Sequence, residues 1–162
     1  MPGNQGASAY HKLIERILTP LMYPDLINPK REEKIHDGRK RIDITYDNVA
    51  KEGFFSWVAQ HYKAPKIFIE CKNYTSDVGN EELDQLSGRF SPQRGRIGLI
   101  TSRNFTDKAA FRKRCRDTAQ DNRGFVIALD DADVTQLVNA RITSYKGPEL
   151  TLLQEQFDAL VM

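Results

Sequence analysis

The chain has 162 residues, of which 40% are hydrophobic and 28% are charged. These values indicate a folded domain with an apolar core and exclude a disordered chain. No apolar run reaches the roughly 20 residues that a membrane-spanning helix needs, and the polar N-terminus carries no secretory signal pattern. We therefore expect a cytoplasmic protein without membrane association. The two cysteines are too few for a disulfide framework.

The first part of the chain is predicted to be one helix followed by strands. Residues 1–8 are small and polar and are expected to form a flexible N-terminus, and apolar residues then recur at helical spacing. The elements predicted here are a helix over Ala9–Met22, a weak strand over Leu26–Ile35, a half-buried alternating strand over Arg39–Asp47, an aromatic helix over Gly53–Tyr62 and a buried strand over Lys66–Lys72.

The second part alternates helices with strands. Strands separated by helices favour a parallel sheet with right-handed crossovers, whereas the early strands are expected to be antiparallel. The fold class is therefore α/β, with a mixed central β-sheet flanked by helices. The elements predicted here are helices over Asn80–Phe90, Asp107–Gln120, Asp130–Ile142 and Leu150–Met162, and strands over Arg96–Thr101 and Gly124–Leu129.

Two domain boundaries follow from this pattern. A main domain is expected over 9–145, with an aromatic helical insertion at 48–65. The Lys146-Gly147-Pro148 sequence breaks the chain before a C-terminal amphipathic helix in the segment 146–162.

Acidic residues stand in two of the apolar strands. Glu70 follows three apolar strand positions, Ile67 to Ile69, and Lys72, two residues later, leaves the same face of the strand. A structural ion pair at a sheet edge is the simpler interpretation of these two alone. However, Asp43 lies between Ile42 and Ile44 in the preceding strand, and pairing of the two strands would bring both carboxylates together.

Two carboxylates that converge repel each other unless a cation lies between them or one takes up a proton. Mg²⁺ binds through one or two carboxylates and keeps several waters, so Asp43, Glu70 and the backbone carbonyl of Cys71 form a candidate site, with Mn²⁺ as an alternative ion. Lys72 would lie beside this site, where its charge can hold a water or stabilise a phosphoryl transition state.

Asp43 followed by Glu70-Cys71-Lys72 resembles the D…(D/E)xK signature of the PD-(D/E)xK, or restriction-endonuclease-like, nuclease superfamily. The element order is similar as well, and Gln85 in Asp84-Gln85-Leu86-Ser87 resembles a glutamine of Mrr-like restriction domains. The resemblance implies a restriction-endonuclease-like core in which Asp43 and Glu70 bind the metal, Lys72 is the catalytic lysine and Gln85 is accessory. It also implies that Glu15, on the first helix, reaches toward the metal.

The sequence departs from the superfamily pattern at two points. The segment 48–65 separates the motif strands, which the superfamily often joins by a short turn, and Ile42 stands where a proline often precedes the aspartate. The insertion is interpreted as a lid, a nucleic-acid contact or a dimer surface. Its aromatic residues suit base stacking, but packing against the sheet is the simpler interpretation.

Basic residues concentrate between Gln85 and Arg123, where ten basic residues face three acidic ones. Such clustering suits a polyanionic partner, although a solvated helix face gives the same pattern. The residues predicted to contact nucleic acid are Arg89, Arg94, Arg112, Lys113 and Arg116.

These observations predict a Mg²⁺-dependent endonuclease that hydrolyses DNA in restriction, phage defence or repair. The alternatives are an inactive binding module on the same fold and an RNA- or structure-specific nuclease. A homodimer is expected through the C-terminal helix or the aromatic insertion. His11, one helical turn before Glu15, is expected either to be structural or to line the same pocket.

Overall fold

The computed structural model describes residues 4–73, 78–143 and 151–162. The helices are α1 (Asn4–Met22), α2 (Gly53–Tyr62), α3 (Asn80–Ser87), α4 (Lys108–Gln120), α5 (Asp131–Thr143) and α6 (Thr151–Val161). The strands are β1 (Leu26–Ile35), β2 (Lys40–Asn48), β3 (Lys66–Lys72), β4 (Ile97–Ser102) and β5 (Phe125–Leu129).

One five-stranded sheet in the order β1-β2-β3-β4-β5 forms the centre of the molecule. The pairs β1–β2 and β2–β3 are antiparallel, whereas β3–β4 and β4–β5 are parallel. Both parallel pairs have a helix in their connection, α3 or α4, as parallel pairing requires. The antiparallel β2–β3 connection also contains a helix, α2. The predicted mixed α/β sheet is confirmed. In this topology β2 begins at the sheet edge where β3, β4 and β5 end.

Two helices differ in length from the prediction. Helix α1 begins at Asn4, so helical structure extends into the segment that was expected to be flexible. Helix α3 ends at Ser87, because the next residue, Gly88, caps it through its backbone N–H. The predicted break at Lys146-Gly147-Pro148 lies outside the described residues. None of the helices within the described ranges is long and apolar enough to cross a membrane.

Helix α1 lies on the sheet through a stripe of residues four apart. Tyr10, Ile14 and Leu18 are all buried, as helical periodicity requires for a face that contacts a sheet. The hydroxyls of Thr19 and Tyr46 are 2.8 Å apart, which fixes α1 over β2. Because this buried stripe fixes the rotation of α1 on the sheet, it also decides which other α1 residues lie at the sheet edge.

The aromatic helix α2 packs inside its own chain. The ring of Phe157 in α6 lies 5.9 Å from Phe54, 5.4 Å from Trp57 and 5.0 Å from Tyr62, measured between ring centroids. Phe157 and Leu153 are fully buried, so the apolar stripe of α6 is covered intramolecularly. The homodimer stays a prediction, and the face of α6 that suggested it is already occupied.

Candidate active site

The β2–β3 pairing stops where the two motif strands reach the sheet edge. The last paired residues are Ile44 and Ile69. Beyond them, Oδ2 of Asp43 accepts a hydrogen bond of 2.9 Å from the backbone N–H of Cys71. The Asp43 carboxylate thus takes the place of a backbone carbonyl as acceptor, and this hydrogen bond holds Asp43 between β2 and β3. Asp43 takes this position because it lies just beyond the last paired residues of the two strands.

Glu70 and Lys72 form a buried ion pair beside Asp43. Their charged atoms are 2.7 Å apart, and the residues are only 3% and 7% exposed. The second carboxylate oxygen of Glu70, Oε2, is buried and has no hydrogen-bond partner among the described residues. A buried oxygen without a hydrogen-bond partner costs free energy. Its presence here indicates that a bound group interacts with Oε2.

The electrostatic environment of Glu70 is unfavourable to its ionised form. Burial, and then the negative charge of Asp43, raise the pKa of the Glu70 carboxyl above its usual range, although Lys72 opposes them. A bound cation relieves both effects by solvating and neutralising the pair.

The donor set fits a hard divalent cation. Two carboxylates and the carbonyl of Cys71 offer oxygen only, as Mg²⁺ prefers, and few protein ligands suffice because this ion keeps its waters. Within the described ranges, no three His, Cys, Asp or Glu side chains cluster as a metal site. The described side chains alone therefore do not form a complete set of metal ligands.

A cleft of about 220 Å³ opens over these residues. It brings together six residues predicted from the sequence to serve the site, and four more, of which only His11 was considered as a possible lining residue. The predicted ones are Asp43, Glu70, Cys71, Lys72, Gln85 and Arg89, and the others are Ala7, His11, Arg41 and Asn73.

Glu15, predicted to reach toward the metal, is placed elsewhere. Its carboxylate is 2.6 Å from Nε of Arg31, and both residues line a separate groove between α1 and β1. Helix α1 instead brings His11 to the cleft, one turn closer to the sheet edge. Nε2 of His11 is 3.3 Å from the carbonyl oxygen of Cys71 and 3.7 Å from Oδ2 of Asp43. The geometry therefore favours His11, not Glu15, as the α1 residue of the site.

Arg41 and Asn73 are cleft residues that the sequence analysis missed. Arg41 precedes Asp43 by two positions, so strand alternation places both on one face of β2, which was the available signal. Asn73 directly follows Lys72, and its side-chain oxygen accepts a 3.3 Å hydrogen bond from Arg103. The segment Ile42–Tyr46 is buried throughout, so the prediction of a half-buried strand is wrong there. Its polar residues Asp43 and Thr45 are only 6% and 2% exposed.

Most residues of the predicted nucleic-acid-binding set lie away from the cleft. Arg94 donates to the carbonyl of Arg89 at 3.0 and 3.2 Å and so holds the segment after α3. Arg112 lies 3.8 Å from Asp133, and together with Lys113 and Arg116 it lines a cavity between α4 and α6. Of the five predicted residues, Arg89 alone lines the catalytic cleft.

The raised pKa of Glu70 predicts that the free energy of unfolding of the metal-free protein depends on pH. A folded-state pKa above the unfolded value means that the native state binds more protons, so the free energy of unfolding falls as pH rises. Asp43→Asn removes the neighbouring charge and lowers that pKa. In EDTA, the variant should therefore gain about 1 kcal/mol over wild type on going from about pH 5 to about pH 8.

Urea denaturation across this pH range measures the difference, and Asp47→Asn is the matched control. The pKa of Asp47 is lowered by its hydrogen bonds to Lys66 and Asn28. The contribution of Asp47 to the free energy of unfolding is lost only as pH falls below the usual range of a carboxyl, so between about pH 5 and about pH 8 its variant should differ from wild type by a constant amount. A gain for Asp43→Asn that does not grow with pH would contradict the strained carboxylate pair.

A family model described as Restriction endonuclease, Mrr_cat, matches residues 34–138, which is more than half of the chain. The matched region runs from the end of β1 into α5 and includes Asp43, Glu70, Lys72 and Gln85. No curated protein and no solved structure matches the chain. The predicted resemblance is confirmed: the chain belongs to the Mrr_cat family of restriction endonucleases and has a restriction-endonuclease-like α/β fold.

Proposed function

We propose that this nuclease-family chain is a divalent-metal-dependent endonuclease that hydrolyses phosphodiester bonds of DNA, in restriction, phage defence or DNA repair. The observation that carries the proposal is the buried Oε2 of Glu70, which has no hydrogen-bond partner within 4–73, 78–143 and 151–162, beside the carboxylate of Asp43 in an open cleft. The cationic residues Arg41 and Arg89 line the same cleft, which favours an anionic substrate.

Asp43 and Glu70, with the Cys71 carbonyl, would hold Mg²⁺ or Mn²⁺. When bound, such an ion supplies Lewis-acid polarisation of the phosphate and acidifies a water. The backbone N–H of Cys71 orients Asp43, and His11 lies against both Asp43 and the Cys71 carbonyl, so it acts as a positioning residue.

Lys72 contributes its charge to the reaction. The ion pair with Glu70 fixes the ammonium group at the cleft, and both side chains are buried, which strengthens electrostatic effects there. As water attacks phosphorus and the bond to the leaving oxygen breaks, negative charge grows on the phosphoryl oxygens. A fixed cation stabilises this charge more than that of the ground state. Gln85 and Arg89, on the opposite wall, are proposed to orient the phosphodiester.

Incubation of supercoiled plasmid with the protein tests the proposal directly. We expect nicked and linear DNA with Mg²⁺ or Mn²⁺ and intact plasmid with EDTA. Tight binding to DNA without turnover under either ion would instead support an inactive binding module. Cleavage confined to RNA or to branched DNA would identify the substrate class and contradict activity on plain duplex.

A further inference from the structure

We infer that the β1–β2 hairpin, residues 30–41, is the arm that holds the phosphate backbone of duplex DNA as it enters the cleft, rather than helix α4. The inference rests on the proposed function, because it assigns a substrate-binding surface to that site. We call residues 30–41 the basic hairpin.

The basic hairpin lies at the catalytic edge of the sheet. In the β1–β2 register Lys34 pairs with Arg41 and Ile35 with Lys40, and the turn between them leads directly into the strand that carries Asp43. Arg41 itself lines the cleft. In the described sheet β1 has a neighbouring strand on one side only, so the hairpin has an open outer side. DNA that reaches the cleft from this side must pass it.

The charge of the basic hairpin is positive and is mostly displayed to solvent. Six basic and three acidic residues give an excess of three positive charges, and every basic residue in it is exposed. A two-stranded ribbon with this charge suits a phosphate backbone, to which lysine and arginine supply most of the binding free energy.

Neutral acceptors hold Arg39 and Lys40, whereas two other cations of the basic hairpin face carboxylates, Arg31 at 2.6 Å from Glu15 and Arg41 at 3.7 Å from Glu32. Arg39 donates to the carbonyl of His36 at 3.0 Å, and Lys40 donates to the carbonyl of Gly88 at 2.8 Å. The guanidinium of Arg89 donates to the carbonyl of Arg41. A carbonyl positions a cation without cancelling its charge. The contacts of Lys40 and Arg89 also join the hairpin to the end of α3 as one rigid rim.

Two cations of α4 are partly neutralised as well. Nζ of Lys108 lies 2.7 Å from Asp130 and 2.6 Å from Asp133, and Asp133 also lies 3.8 Å from Arg112. Lys113 and Arg116 border the cavity between α4 and α6. No described residue of α4 lines the cleft, whereas Arg41 of the basic hairpin does.

Two variants with equal charge loss separate the surfaces. The hairpin variant is Lys34→Gln, Arg39→Gln, Lys40→Gln, and the α4 variant is Lys113→Gln, Arg114→Gln, Arg116→Gln. All six side chains are exposed, so both variants should keep the wild-type thermal unfolding midpoint. Binding to a fluorescent DNA duplex is measured by anisotropy in EDTA between about 50 and 200 mM salt.

We expect the hairpin variant to bind at least roughly tenfold more weakly, with a salt dependence lower by about one unit per lost phosphate contact. The α4 variant should stay within about twofold of wild type. An equal or larger loss for the α4 variant, or wild-type binding by the hairpin variant, would overturn the inference.

Lysine acetylation followed by mass spectrometry gives a second test on the unaltered protein. Duplex DNA should protect Lys34 and Lys40 from acetylation and leave Lys113 reactive; the reverse pattern would reject the hairpin. The plasmid assay keeps the two proposals apart. If the wild type cleaves the plasmid and the hairpin variant binds DNA as tightly as wild type, the role of the hairpin is rejected and the nuclease function is kept. If binding depends on the hairpin but no cleavage occurs under either ion, the role of the hairpin is kept and the nuclease function is rejected.

Discussion

Asp43→Asn should reduce plasmid cleavage by roughly a hundred- to a thousandfold. Asparagine keeps the shape of the side chain and an oxygen that can accept from the N–H of Cys71, so the local fold is preserved. It removes the negative charge that is proposed to hold the divalent ion against Glu70. Initial rates of plasmid nicking at saturating Mn²⁺ measure the loss.

Asp47→Asn provides a control on the same strand. Asp47 pairs with Lys66 at 2.6 Å at the other end of the β2–β3 ladder, and both side chains are about one-third exposed. Removing this surface ion pair should leave the cleavage rate unchanged. Wild-type cleavage by Asp43→Asn, or an equal loss in Asp47→Asn, would contradict the assigned role of Asp43.

Lys72→Met should lower the turnover rate by roughly a hundred- to a thousandfold while divalent-ion binding is retained. Methionine is similar in length and carries no charge, so the buried position stays filled. Because Lys72 opposes the repulsion between Glu70 and Asp43, its loss gives the carboxylates a greater need for a cation. Single-turnover cleavage and Mn²⁺ calorimetry on the same variant separate rate from binding.

Lys66→Met is the matched control, because Lys66 begins the strand that Lys72 ends. It should retain wild-type turnover, and Lys72→Arg should recover part of the lost rate because it restores the positive charge. If Lys72→Met loses Mn²⁺ binding in proportion to its rate, Lys72 supports the site structurally and the proposed charge stabilisation is wrong.

The sheet and the candidate site residues Asp43, Glu70 and Lys72 could be predicted from the sequence because their signals are local. Strand periodicity and turn residues set the elements, and an acidic residue between apolar neighbours stands out in any strand. Since Asp43 and Glu70 occupy adjacent antiparallel strands, their meeting follows once the pairing is assumed. The fold and family are confirmed, whereas the roles of the site residues stay proposals.

The predictions that differed from the structure depended on contacts between distant segments. Sequence alone cannot tell which turn of α1 reaches the sheet edge, so Glu15 was assigned where His11 lies. Similarly, the ion pairs of Lys108 join residues more than 20 positions apart and reduce a charge cluster that looked unopposed. The packing of Phe157 of α6 among the α2 aromatics is a contact of the same kind, and the homodimer itself stays a prediction.

One divalent ion is proposed to bind between two buried carboxylates from neighbouring strands. Diffraction from crystals soaked in Mn²⁺, collected at the manganese absorption edge, shows whether it does. We predict an anomalous peak in contact with Asp43, Glu70 and the carbonyl of Cys71, which disappears in Asp43→Asn. A peak elsewhere, or no peak in crystals of protein that cuts DNA with Mn²⁺, would contradict it.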